Sequence, residues 1–271
     1  MAWVKFTGGQ GKTFSRLPPG AEGMAKPLSP AEVTRYSKQI AIREWGREAQ
    51  ERLKASRVLI AGAGGLGTAA ALHLLATGVG ALRVVDASRV TLADLNSTTL
   101  YRERDLGKGK AAAAEARLRE INPFVAVEGH GKSFTENNIH RLVSGCALLI
   151  DAKSEPAAGP LLNRAAVKHR LPLIHAWVGE MDGRLTTLWP GRGPCLACLG
   201  REAAAPAETA LMGPLPGIMG TLLAWEALRI LGDLGPALVG RVLIFKGRWF
   251  LFREEALKVN AACEVCQTRK V

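Results

Sequence analysis

Residues 57–67 read RVLIAGAGGLG, a short apolar run, Val58–Ala61, that empties into glycines. No other stretch constrains the fold as strongly. A strand that runs into Gly62-x-Gly64-x-x-Gly67 and then into a helix is a unit in which each glycine has a task. Gly62 permits the tight turn, Gly64 lets a phosphate approach the backbone, and Gly67 lets the helix pack on the sheet. The helix start offers free N–H donors and the positive end of a dipole to an anion. Asp86 ends the following strand, where a carboxylate can grip ribose hydroxyls. On this motif alone a nicotinamide dinucleotide is the default ligand; a nucleoside triphosphate and an unliganded glycine turn are the other readings.

The pattern around the turn extends the unit into a domain. Ser29-Pro30-Ala31-Glu32 is a capping box with proline at the first helical position, and it opens a helical stretch to about Lys54. Strands are expected at Leu82–Val85, Val125–Val127, Ala147–Ile150 (ending at Asp151) and Leu173–Val178. Helices are expected at Gly65 to about Thr77, Lys108–Ile121, Ile139–Val143 and Leu161–His169. This alternation predicts an α/β fold: a Rossmann-like, mostly parallel sheet with helices on both faces. After Val178 the pattern changes. Gly183–Trp189 alternates like an exposed antiparallel strand, Pro216–Leu231 is an amphipathic helix, and RVLIF and RWFLF around Gly247 read as a hairpin. Antiparallel strands therefore extend the sheet in the C-terminal half. Residues 1–28, rich in Gly, Pro and Lys, read as a flexible N-terminal extension. Residues 29–271 form a single domain, with a nucleotide-binding half at 29–178 and a second half at 179–271. Within the extension, GGQGKT (Gly8–Thr13) imitates a phosphate loop, but Phe6 occupies the first glycine position.

No apolar run reaches the roughly 18 to 20 residues of a membrane span, and the first residues lack a signal-peptide pattern. A soluble, cytoplasmic protein is expected. The formal charge of +12 favours acidic partners. The basic residues are scattered and no nucleic-acid motif accompanies them, so neither nucleic acid nor membrane is expected as a partner.

Four of the five cysteines form two pairs, Cys195-x-x-Cys198 and Cys263-x-x-Cys266. Two such pairs in a cytoplasmic chain read as metal ligands before disulfides. Four thiolates suit tetrahedral Zn²⁺ and leave no open position, so a structural metal that staples a loop to the C-terminal segment is expected; redox thiols and unligated cysteines are the other readings. The fifth, Cys146, borders an apolar strand and reads as a core residue. His73 reads as packing, and His130, His140 and His169 as surface residues. His175 reads as a core histidine or a substrate contact, Trp225 as core or dimer interface, and Arg35 and Arg47 as solvated or paired.

Taken in order, RYSKQI (Arg35–Ile40), VLIAGAGGLG, VVDASRV (Val84–Val90), LGKGKAAAA, INP, CLAC, PGIMGTLLAWEAL and CEVC give residues 30–267 a resemblance to the MoeB/ThiF/HesA family, the bacterial relatives of ubiquitin-activating enzymes. The resemblance implies that the glycine loop holds ATP. It also implies adenylation of the C-terminal glycine of a small ubiquitin-like sulfur carrier such as MoaD or ThiS, a homodimer, and a zinc held by four cysteines. The carrier's Gly-Gly tail would lie near Asp151, under a 199–214 crossover, so 179–271 becomes the carrier-binding and zinc half. In such a reaction two anions meet, and catalysis is charge neutralisation and positioning.

Residue by residue, Lys110 matches the family's phosphate lysine, Asp86 its ribose carboxylate and Gly65 its ATP-contacting glycine. Lys38 falls where the family's arginine reaches a neighbouring subunit's phosphates, and it keeps the charge without the bidentate fork. Lys110, Asp151 and Lys38 are the catalytic candidates. Gly62, Gly64, Gly65, Gly67, Asp86, Asp94, Asn96, Ser97, Lys110, Ser154 and Glu155 are the candidates for nucleotide and Mg²⁺.

Several of these depart from the family pattern. Asp94 stands for its asparagine, Ser97 for its phosphate-binding arginine, Ser154 for its Mg²⁺-organising aspartate and Pro206 for its crossover cysteine, which leaves no thioester or persulfide there. Lys108, Lys153 and Arg102 lie near enough in sequence to restore charge. Loss of a transition-state arginine costs on the order of 10³ to 10⁵ in rate, roughly 4 to 7 kcal/mol. The expected function is therefore an ATP-dependent adenylyltransferase; the alternatives are a non-catalytic relative that binds a carrier and nucleotide, and a NAD-dependent oxidoreductase.

Overall fold

The computed structural model describes residues 27–152, 157–203 and 210–266. The expected extension 1–28, apart from Pro27 and Leu28, lies outside these residues, as do Lys153, Ser154, Glu155 and Pro206.

The capping box forms as expected. Ser29 Oγ accepts from Glu32 N at 3.3 Å and the Glu32 carboxylate accepts from Ser29 N at 2.8 Å. The helical stretch it opens is broken into α1 (Pro30–Arg35), α2 (Ser37–Ile40) and α3 (Gly46–Ala55), where Gly46 turns the chain at φ +62°. Then follow β1 (Arg57–Ala61), α4 (Gly65–Ala76), β2 (Ala81–Val85), α5 (Lys110–Ile121), β3 (Ala126–His130), α6 (Glu136–Val143), β4 (Leu148–Asp151), α7 (Ala158–His169), β5 (Leu173–Gly179), β6 (Asp182–Leu188), α8 (Pro214–Leu231), β7 (Arg241–Lys246) and β8 (Leu251–Ala256).

These strands make one eight-stranded sheet in the order β3-β2-β1-β4-β5-β6-β7-β8. The pairs from β3 to β5 are parallel, and those from β5 to β8 antiparallel. Helices α3, α4, α5 and α8 pack on one face and α6 and α7 on the other. The central strands are covered on both sides, so β1 and β4 are apolar without alternation, and Val58–Ala61 and Leu148–Ile150 are fully buried.

Three local expectations are corrected. Strand β6 is not exposed: it lies between β5 and β7, and Leu185–Leu188 are buried beneath α8 and the opposite layer. The exposed strand is β8, at the sheet edge, with every residue solvent-facing. In the hairpin, Gly247–Trp249 form a 3-10 turn closed by Phe250 at φ 50°, so the second strand starts only at Leu251. His73 is exposed on α4, and Trp225 is 52% exposed, which removes it from this chain's core. Cys146 is buried as expected, and burial pushes its thiol up to about 11, far from a reactive thiolate.

Candidate functional site

The sheet order reverses between β2-β1 and β4, so the carboxyl ends of β1 and β4 flank a crevice of the kind where open α/β sheets bind ligands. The glycine turn sits at its mouth. Gly62 takes φ +102°, a conformation that favours glycine, and its N–H donates to Val85 O at 2.9 Å. A Cβ on Gly67 would land on the Gly62 carbonyl oxygen, so α4 can close onto the turn only because that residue is glycine. Gly65 is explained by packing: a Cβ there would meet Ser97 O at 2.5 Å and Pro216 Cβ at 2.7 Å. Gly64, by contrast, faces open space. It is the N-cap of α4 and provides no side-chain cap, so the first-turn amides are left to solvent or an anion.

Asp86 braces this turn. One carboxylate oxygen accepts from Ala63 N at 2.8 Å and the other from Ser88 N at 2.8 Å. The group is nearly fully buried, so its first work is to hold the turn's shape. Tyr101, not anticipated from sequence, ties the same turn to α5: its hydroxyl donates to Ala63 O at 2.7 Å and lies 3.2 Å from Lys110 O. Burial pushes this phenol up, so it remains a donor. Lys110 opens α5. Its ammonium meets Asp94 Oδ1 at 2.5 Å, while Asp94 Oδ2 accepts from Thr91 N and Thr91 Oγ1 at 2.8 Å each. Burial would raise the Asp94 carboxyl, but the hydrogen bonds from Lys110 and Thr91 outweigh it and hold the group below its ordinary range.

Asn96 and Ser97 end the same 3-10 turn, Leu92–Asn96 with Ser97 as its cap. Asn96 meets the start of α8 through its backbone, where a Cβ on Gly213 would collide with Asn96 O. Among the described residues, Ser97 Oγ makes only a long contact, 3.4 Å, to Asp94 O. The neighbouring cations offered as substitutes are engaged elsewhere: Lys108 with Asp105 at 3.0 Å, and Arg102 with the carbonyls of Thr99 and Tyr101 at 2.8 and 3.0 Å.

Asp151 ends β4, nearly fully buried, and its Oδ2 lies 3.0 Å from Nδ1 of His175, its register partner on β5. His175 is thus a polar partner of the site's carboxylate, a pairing that strand register alone creates. Lys38 is not brought to this cluster. It is exposed on α2, whose next residue, Gln39, bonds Thr77 O at the far end of α4. The 12 residues of α4 place it about 18 Å along the helix from the glycine turn.

The four paired cysteines converge. Their sulfurs lie within 4.8 Å of one another, with Cys195–Cys198 at 3.9 Å, Cys195–Cys263 at 3.7 Å and Cys198–Cys266 at 3.5 Å. Disulfides are excluded at these separations. Tetrahedral Zn–S bonds of about 2.3 Å require sulfurs about 3.8 Å apart, so the set fits zinc. Asn163 on α7 anchors the knuckle, accepting from Leu196 N at 2.9 Å and donating to Cys195 Sγ at 3.7 Å. Nothing local in the sequence singles out Asn163.

This glycine-turn crevice with a cysteine knuckle defines a class of nucleotide-binding α/β proteins, and comparison with known proteins sharpens it. The ThiF family model matches residues 36–266; the chain belongs to the ThiF family. It is 37% identical to the SAMP-activating enzyme E1 of Haloferax volcanii over 90% of this chain and 92% of that one. It is 35% identical to the sulfur carrier protein adenylyltransferase of Thermus thermophilus (87% and 91%), and 34% identical to the molybdopterin-synthase adenylyltransferase of Escherichia coli K12 (88% and 98%). Among solved structures, that of PaaA superposes with a TM-score of 0.76 at 27% identity, covering 86% of each chain. Escherichia coli MccB shares the fold, with a TM-score of 0.76 at 17% identity over 94% of this chain and 76% of that one.

Proposed function

We propose that this chain is an ATP-dependent adenylyltransferase that activates the C-terminal glycine of a ubiquitin-like sulfur carrier. The observation that carries the reading is the Gly62–Gly67 turn at the β1/β4 crevice, open at Gly64 and tied to Lys110 through Tyr101, in a chain that matches such activating enzymes over most of its length.

In this reading the triphosphate rests on the first-turn amides of α4, and Lys110 neutralises its charge. The carrier's terminal carboxylate oxygen attacks the α-phosphorus. A C–O–P bond forms, the bond to the β-phosphate's bridging oxygen breaks, and pyrophosphate leaves, giving the acyl-adenylate. Asp86 keeps the amides aimed and Asp151, paired with His175, borders the crevice.

Mg²⁺ accompanies the nucleotide, as it commonly binds through substrate phosphates and one or two carboxylates. The described carboxylates at the crevice are already paired, so no step is assigned to a protein-held ion. The four-cysteine set would hold a structural Zn²⁺ and take no part in the chemistry.

The exposed hairpin tip, with Met181, Trp249, Phe250, Leu251 and Phe252 between 43 and 78% exposed, supports docking of a carrier, since contiguous apolar surface marks interaction sites. The chain acts as a homodimer in which each copy lends Lys38 to the other's phosphates. The position of Lys38, remote from its own glycine turn, supports this.

The test is carrier-dependent exchange of labelled pyrophosphate into ATP, run with candidate carriers ending in Gly-Gly. Exchange is expected with a cognate carrier and none without it. ATP binding without exchange for any carrier tested would favour the non-catalytic relative, a reading that Ser97 at an arginine position motivates.

A further inference from the structure

The Lys110–Asp94 contact bears on how the crevice receives its ligand. Lys110 is the cation knotted to the glycine turn, since its carbonyl shares the Tyr101 hydroxyl with Ala63. Its ammonium is already met at 2.5 Å by the Asp94 carboxylate, both side chains being 15% exposed. That carboxylate is not free to swing away, because Thr91 N and Thr91 Oγ1 hold its second oxygen. Nearby Lys108 pairs with Asp105, and Arg102 donates to the carbonyls of Thr99 and Tyr101.

We propose that Asp94 is a built-in competitor for the nucleotide's phosphates: it holds Lys110 by an ion pair and so sets the affinity for polyphosphate at the crevice. A polyphosphate entering the site must take Lys110 from Asp94 and then lie beside a carboxylate, a like-charge juxtaposition that weakens anion binding. The lowered carboxyl of Asp94 means that protonation does not relieve the competition near neutral pH. The effect falls on the charged part of the ligand and leaves the nucleoside untouched.

The inference rests on the crevice being a nucleotide site, and the experiment separates the two. ATP and adenosine binding are measured by calorimetry in Mg²⁺-free buffer without chelator, which leaves zinc in place. The proteins are the wild type, Asp94→Asn, Lys110→Gln and the double variant. Asparagine keeps an oxygen for Thr91 N, so the turn is retained, and thermal melting checks it.

Asp94→Asn is expected to bind ATP roughly 10-fold tighter or more, with adenosine binding unchanged and the gain clearly smaller on the Lys110→Gln background, where only the relief of like-charge repulsion is left. Measurable wild-type ATP binding that Asp94→Asn leaves equal or weakens would overturn the competitor role and leave the nucleotide site standing. A gain of undiminished size on the Lys110→Gln background, or one shared equally by adenosine, also overturns it. Failure of every protein to bind ATP at millimolar concentration overturns the nucleotide site itself, and the competitor role with it.

Discussion

The parallel and antiparallel halves of the sheet are held together by different means. In the parallel half, β2, β1 and β4 are sandwiched between helical layers and close to fully buried, and only the edge strand β3 is largely uncovered. From β6 outward the cover thins until β8 has no buried residue. This second half relies on point attachments. Buried Glu226 on α8 accepts from Thr187 Oγ1 at 2.7 Å and from Ala237 N and Leu238 N at 3.0 Å, pinning the segment before β7 to α8 and β6. Lys246 pairs with Asp182 across β6 and β7, and the cluster of four cysteines ties the stretch after β6 to the stretch after β8. A crevice that must aim backbone amides is built where burial is continuous. The outer strands, where the cover thins, depend on a few polar contacts and the four-cysteine cluster.

This contrast implies that breaking the four-cysteine cluster has the largest effect and confines it to one half. Structural zinc in small domains contributes on the order of 10 kcal/mol. Cys263→Ser is therefore expected to lower zinc content and expose 196–203 and 257–266 to protease, while hydrogen exchange in β1 and β4 stays slow; equal loosening of both halves would break the comparison.

Next comes Glu226→Ala. It strands a buried amide, a part-buried amide and a buried hydroxyl, and unsatisfied buried groups cost about 1–3 kcal/mol each. A loss of about 3 kcal/mol in urea unfolding is expected, with ATP affinity little changed.

The smallest change in bulk sharpens the contrast most. Gly67→Ala drives a methyl onto the Gly62 carbonyl and is expected to cost about 1–3 kcal/mol of stability as well as nucleotide binding. Gly64→Ala places its methyl in open space, so its melting temperature should stay near that of the wild type while ATP affinity drops. Equal melting temperatures and equal affinities for the two variants would show that the turn does not approach a phosphate.

Much of the fold is legible along the chain because its signals are local. The Ser29 capping box, the apolar run before Gly62 and the alanine-rich α5 each appear within a few residues of where periodicity places them, and the cysteine spacing announces a tetrahedral site. The failures are just as specific. β6 reads as exposed because its alternation does not reveal that β7 and α8 cover it. RWFLF reads as strand because aromatic residues favour strands, yet Gly247–Trp249 turn tightly and leave Phe250 left-handed.

The candidate site divides in the same way. Its glycines and cysteines are visible because their tasks are steric and valence-bound. The state of its charges is not, because ion pairing depends on which side chains meet in space. Asp94 and Lys110 are 16 residues apart, on separate elements, and touch because the Leu92–Asn96 turn and the start of α5 fold against the same glycine loop.

The sequence by itself determined that an anion-receptive turn follows β1, that strands and helices alternate into a layered sheet, and that four thiols can share one metal. Backbone geometry and ligand valence act over short stretches and leave marks in spacing. Only the tertiary structure decided that Gly65 answers to Pro216 and Ser97, that Asp86 braces the turn, that His175 partners Asp151 and that Lys110 is already matched by Asp94. Those outcomes are electrostatic and steric meetings between distant segments, and chain folding, not local spacing, chooses the partners.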